Sequence, residues 1–377
     1  MRFLTADYLY PLHKEPIKEG VLQVDNKGRV ISLYNSRDKI PANRLEIFNG
    51  IICPGFINTH CHLELSHLHR EIEKSSGLVN FINNINKKRH NPKIKKKRFI
   101  EYAERQMMKN GIVAVGDICN TADTISQKKK HKLQYYNFIE GFAIKSSNIN
   151  SKLKQLLMLR KDFRSNNLKA TIVPHSGYSV IPDLMLMILD NSDNNDDVIC
   201  IHNQESKTEL ELFLAKKGRL YDWLNKMSAE EKIWNSKKSS LQIFKEFKKK
   251  KLIFVHNTFS SKKDITNNYY CTCPKANLYI ESSLPDYSIF NIDKLCLGTD
   301  SLASNNSLSI LEELLIIQEN TNFSLENLLK IASLNGASAL GFNHLGSFQE
   351  ENKPGVNLIQ NLLEFKITNK TKVTPLL

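Results

Sequence analysis

From residue 50 onward, short apolar runs recur along the chain, and each ends in residues that carry polar chemistry. The runs lie at 50–58, 111–117, 135–141, 170–174, 198–201, 251–255, 269–273 and 295–298. Short apolar runs bounded by turn signals read as buried strands. Most are followed by stretches with apolar residues at helical spacing, clearest at 98–109 and 309–320. Eight buried strands alternating with helices predict parallel pairing, and eight such units in this length predict a (β/α)8 barrel.

The two ends carry a different pattern. Residues 20–25 and 29–34 alternate around Asn26-Lys-Gly28, which is a hairpin signal. Beyond residue 346, pieces at 358–359 and 365–367 flank or follow the turn Lys353-Pro-Gly355 and also read as strands. The expected architecture is therefore α/β: a (β/α)8 TIM barrel over 51–345, with a small β-sandwich domain built from 1–50 and 346–377. The Asn/Asp-rich stretch 190–197 reads as a surface turn.

Composition narrows the partners. Lys and Arg number 53 against 39 Asp and Glu, a formal charge of +14. The excess sits in runs such as 87–89, 95–98 and 248–251, without the interleaved aromatics of a base-stacking surface. They read as solvated helix faces, and neither nucleic acid nor membrane is an expected partner. A basic surface that binds nucleic acid is the competing reading, and salt-dependent binding to unrelated DNA would mark it. No apolar stretch reaches the roughly 18 residues of a membrane span. The first residues reach Asp7 before an apolar run can build, so no signal peptide is expected. Seven scattered cysteines fit a reducing cytoplasm, and Cys271 and Cys273 read as strand packing rather than a metal knuckle.

Candidate chemistry gathers at the strand ends. His60 and His62 are two apart on a strand, so they project from one face, and paired imidazoles suit Zn2+ or Fe2+. His175, His202 and His256 also end apolar runs, and Asp300 follows the last one after Gly-Thr. Five of the eleven histidines thus stand where a barrel collects its strand ends in one mouth. Core packing alone gives histidines no reason to gather there. Glu205, three residues after His202, can stand beside an ion without binding it.

Taken together, PGFINTHCH (54–62), PHSGYS (174–179), HNQE (202–205), VHN (255–257), CPKAN (273–277) and GTDS (298–301) resemble the amidohydrolase superfamily. NGASALG (335–341) and KPG (353–355) extend the resemblance over nearly the whole chain. Within the superfamily the set is similar to the branch of S-adenosylhomocysteine/methylthioadenosine deaminases, guanine deaminases and triazine hydrolases. HCHLELSH (60–67) most resembles aminofutalosine deaminase-like proteins. The resemblance implies His60, His62, His202 and Asp300 as ligands of a single divalent ion, Zn2+ with Fe2+ as the alternative. No lysine ends the fourth strand, where two-metal members carry one. It implies Glu205, His256 and Asp300 as catalytic groups, and His175, Asn277 and Ser301 as substrate contacts. The implied reaction is deamination, in which the exocyclic amine of a purine or nucleoside-like ring is hydrolysed to ammonia. A small molecule of that kind is the expected partner, with the chain as a homodimer in the cytoplasm. Ser-Gly after His175, Ala276 and Cys61 depart from the common pattern and bear on the substrate. Two alternatives stand beside this reading. One is hydrolysis of a cyclic amide or an aryl halide at the same ion. The other is an assembly protein without catalysis, which would usually lack some ligands.

Overall fold

The computed structural model describes residues 1–91, 95–192, 197–234, 240–241, 244 and 250–377. Parts of the expected turn at 190–197 and of the lysine run at 248–251 lie outside the described residues.

All eight expected strands form: β1 (Phe56–Cys61), β2 (Ile112–Cys119), β3 (Gln134–Gly141), β4 (Ala170–Pro174), β5 (Val198–Asn203), β6 (Lys251–His256), β7 (Tyr269–Thr272) and β8 (Leu295–Leu297). Every residue of β1, β4, β5 and β8 is buried, as expected for strands covered on both faces by parallel neighbours and helices. The ladders run in chain order as two parallel halves, β1 to β4 and β5 to β8. Two seams join the halves. At one, the His202 N–H donates to the His175 carbonyl at 2.9 Å. At the other, the N–H groups of Thr299 and Asp300 both donate to the His60 carbonyl at 3.1 Å. Gly298 permits that second closure, because a Cβ there would lie 2.7 Å from the His60 oxygen. The result is a (β/α)8 barrel.

The helices follow their sequence signals. Lys96–Lys109 covers the stretch expected at 98–109. Ile310–Glu319 covers the one at 309–320, with the Ser309 side chain capping its first turn.

The run at 50–58, expected as one strand, divides. Ile51–Pro54 pairs antiparallel with Val356–Gln360 and parallel with Tyr8–Leu9, while Phe56 begins the barrel. The division falls at Gly55, where a Cβ would sit 2.7 Å from the Pro354 carbonyl. Val356–Gln360 also pairs with Lys372–Pro375. The strand expected at 365–367 is instead a tight turn closed by a Leu363–Lys366 bridge. A second sheet orders Val30–Tyr34, Val21–Val24, Arg2–Thr5 and Leu45–Ile47. Leu4, Leu22, Val24 and Val30 pack with Phe348, Val356 and Leu358, so one apolar cluster draws on both ends of the chain. No helix among the described residues is long and apolar enough to cross a membrane.

Candidate metal and active site

The strand pleat explains the first pair: His60 and His62 share a face because Cys61 takes the other. The ring of His202 enters from β5 across the barrel. Its Nδ1 lies 3.1 Å from the His175 carbonyl, so that nitrogen carries the proton and Nε2 is bare. Three Nε2 atoms crowd one point. His62 Nε2 stands 3.2 Å from His60 Nε2 and 3.3 Å from His202 Nε2. Asp300 Oδ1 joins them at 3.8 Å from His60 Nε2 and 3.5 Å from His62 Nε2.

Burial, aided for His60 by the neighbouring rings, pushes the titration of both His60 and His62 below the usual imidazole value, so they are neutral. Burial works to raise the Asp300 carboxyl. His62, His256 and the Ser304 hydroxyl outweigh it, and Asp300 lies below the usual carboxylate range. Ser304 Oγ donates to Asp300 Oδ2 at 2.5 Å, leaving Oδ1 for the cluster. Lone pairs packed this closely repel unless a cation lies among them. Tetrahedral bonds of about 2.0–2.1 Å give ligand-to-ligand edges of about 3.3–3.4 Å, close to the spacings seen. The residues present therefore fit one divalent ion.

The backbone is strained where these side chains emerge. Gln204, His256, Asn257 and Asp300 have φ of 45°, 71°, 54° and 54°. Left-handed conformations cost energy outside glycine, and here they stand at or just beyond the ends of β5, β6 and β8.

Glu205 is released from structural duty. The helix Lys207–Ala215 is capped by Ser206, whose side chain accepts the Glu209 N–H. Glu209 in turn accepts the N–H groups of Gln204 and Glu205, each at 3.0 Å. The Glu205 carboxyl instead faces His256, with Oε1 3.7 Å from Nε2. Burial raises it to about 8, with Asp300 adding to the rise and His202 opposing it. It is thus an acid still protonated at neutral pH.

His256 Nδ1 lies 2.8 Å from Asn277 Oδ1, which fixes the ring proton there. Asn277 is the third expected substrate contact. It sits on the helix Pro274–Glu281, 1% exposed, behind His256 rather than on the cavity wall. His175 and Ser301 do line the cavity, a space of about 400 Å3 with His62, His202, Glu205, His256 and Asp300 at its polar end. Leu78, Phe81, Ile82 and Ile85 from the helix Leu78–Lys88, with Phe142 and Trp223, supply apolar walls.

The polar wall residues that escaped the sequence reading include Glu140 at the end of β3, Asn120 just beyond β2, and Arg89, which was read as part of a solvated face but lines the cavity and pairs with Glu64. Burial works against the Glu140 charge, but His175, His202 and His62 hold its carboxyl down at about 2. The signal was a lone charge inside the apolar run Asn137-Phe-Ile-Glu140-Gly-Phe142.

The pattern that describes the amidohydrolase family matches residues 51–373. An adenosine deaminase of Helicobacter pylori is 28% identical over 353 residues, covering 88% of this chain and 84% of the relative. Among solved structures, the aminofutalosine deaminase of Helicobacter pylori in complex with methylthio-coformycin superposes with a TM-score of 0.81 at 21% identity, covering 98% and 94% of the two chains. An adenosine deaminase of Xanthomonas campestris with bound zinc gives 0.71 at 19% identity, covering 95% and 84%.

Proposed function

The chain belongs to the amidohydrolase family, whose members are metal-dependent hydrolases, and from that membership we propose that it is a deaminase of purine nucleosides or closely related rings. The observation that carries this reading is the pairing of a divalent-ion cradle with a protonated carboxyl, Glu205, on one cavity wall. His60, His62, His202 and Asp300 would hold one ion, Zn2+ or Fe2+. When bound, the ion supplies Lewis-acid activation of water.

The chain's own groups then divide the proton traffic. His256, with its proton fixed toward Asn277, presents a bare Nε2 to take a proton from the attacking water, and Asp300 orients that water. Glu205 delivers its proton to a ring nitrogen as the water oxygen bonds to the carbon bearing the amine. The proton taken by His256 then passes to that amine, and the C–N bond breaks to release ammonia. The new hydroxyl returns its proton to Glu205 as it becomes a ring carbonyl. His175 and Ser301 contact the substrate from the wall. The apolar walls exclude bulk water and suit a flat ring.

Two measurements test the proposal. Metal analysis of gently purified protein should find about one equivalent of zinc or iron per chain. Ammonia release should then appear with at least one member of a panel of aminopurines and aminonucleosides. Two equivalents in the native site would end the single-ion assignment. Turnover of only cyclic amides or aryl halides would end the deaminase assignment.

A further inference from the structure

The Glu140 carboxylate is 5% exposed and held from one side only. Its Oε2 accepts a hydrogen bond from Asn120 Nδ2 at 3.0 Å. Asn120 is itself anchored, because its Oδ1 accepts from Arg89 at 2.9 Å and its backbone N–H donates to Glu64 at 3.1 Å. Arg89 also binds Glu64 at 2.8 Å, so a buried polar chain ends on Glu140. The other oxygen, Oε1, has no hydrogen-bond partner among the described residues. His202 Nδ1 stands 3.5 Å from it, but that proton goes to the His175 carbonyl at 3.1 Å. A buried carboxylate oxygen without a donor is costly, and folded proteins rarely leave one so. Glu140 lines the cavity, so a ligand can supply the missing donor.

The surroundings limit what that donor is. Lys145 lines the same cavity, and a cationic ligand group would meet its charge, that of Arg89 being matched by Glu64. A neutral donor meets no such penalty. At about 400 Å3 the cavity also exceeds what a bare purine ring fills, leaving space for a substituent. Resting on the nucleoside reading above, we propose that Glu140 is a specificity-determining residue whose free oxygen accepts a hydrogen bond from a hydroxyl of the substituent carried by the purine.

The test compares adenosine, 2′-deoxyadenosine and 3′-deoxyadenosine on the metal-loaded wild type, Glu140→Asp and Glu140→Gln. Binding of each nucleoside is followed by calorimetry beside turnover, and metal content and melting temperature are measured for every variant. The wild type should lose about 10- to 100-fold in kcat/KM, chiefly through KM, when one of the two hydroxyls is removed. Aspartate withdraws the oxygen by one methylene. In the glutamine variant Asn120 fixes the amide oxygen and turns the NH2 toward the free position. Both should lose a similar factor on adenosine and distinguish the three nucleosides less than threefold. A variant that keeps the wild-type preference overturns the proposal. So does a preference lost only together with the metal, since Glu140 would then act through His202. If the wild type neither binds nor deaminates any of the three, the nucleoside reading itself is overturned. Adenosine turnover without dependence on either hydroxyl removes the role of Glu140 alone.

Discussion

Replacing Glu205 by Gln exchanges a proton donor for an amide of nearly the same shape. Ser206 caps the neighbouring helix, so the substitution disturbs no cap. Glu205→Gln should keep its metal and lose turnover by about 10²- to 10⁴-fold. Near-normal activity in a metal-loaded variant would move the proton transfer to His256 or Asp300. His202→Ala behaves in the opposite way, since an ion left with three protein ligands should be lost on dialysis and its absence read by metal analysis. Turnover needs the Glu205 proton, which burial raises, so kcat/KM should decline as pH rises through the value at which the metal-loaded site releases it. The same shift acts on the stability of the metal-stripped protein. The folded carboxyl titrates at about 8 against an ordinary 4.5, so between those values the folded state keeps a proton that the unfolded chain has released. Stability therefore falls across that window as pH rises, by at most about 1.4 kcal/mol per unit, and levels off above it. Gln at 205 has no proton to lose, and its melting curves should lack this component.

Between β2 and β3 the structure buries a charge pair that the sequence did not announce. Lys128, in the short helix Ile125–Lys128, is wholly buried and binds Asp117, with a further bond to Asn137 at 2.7 Å. Asp117 Oδ1 accepts the Leu63 N–H at 2.8 Å, so the pair steadies the turn just after His62. Lys128→Met strands a buried carboxylate and should cost about 3–5 kcal/mol in chemical denaturation. A loss below about 1 kcal/mol would mean that water reaches Asp117. The eight barrel strands were legible because each is a short apolar run ending in polar residues, as in Val198-Ile-Cys-Ile-His202. The histidines and Asp300 were legible because a barrel must bring those ends together. Lys128 was not, because its partners lie on strands whose outward face is set only by the register Asn137 opposite Asp117. Glu140 and Asn120 were missed for a similar reason: they meet only after β2 and β3 pair. Nor did the apolar run at 50–58 reveal its break, since Gly55 earns its place only when Pro354 arrives from the far end of the chain.

The strand Val356–Gln360 is paired on both edges, to Ile51–Pro54 and to Lys372–Pro375. Deleting residues 346–377 would bare Ile51 and Ile52 and remove Phe348, Val356 and Leu358 from the cluster they share with Leu4 and Leu22. A chain ending at 345 should be insoluble or melt well below the full-length protein, and a truncated form of equal stability would show the barrel to be self-sufficient. The two seams have a consequence for how the molecule breathes. His60 and His62 belong to the β1–β4 half, whereas His202 and Asp300 belong to the β5–β8 half. An ion bound by all four spans both seams and ties one half to the other, and ligand that binds only the closed form adds to its stability. Hydrogen–deuterium exchange can read this directly, because the His202, Thr299 and Asp300 amides are the seam donors. Stripping the metal should speed exchange at those three amides far more than at Ile253 or Phe254 in the middle of β6, which would mark local opening along the joints rather than global unfolding.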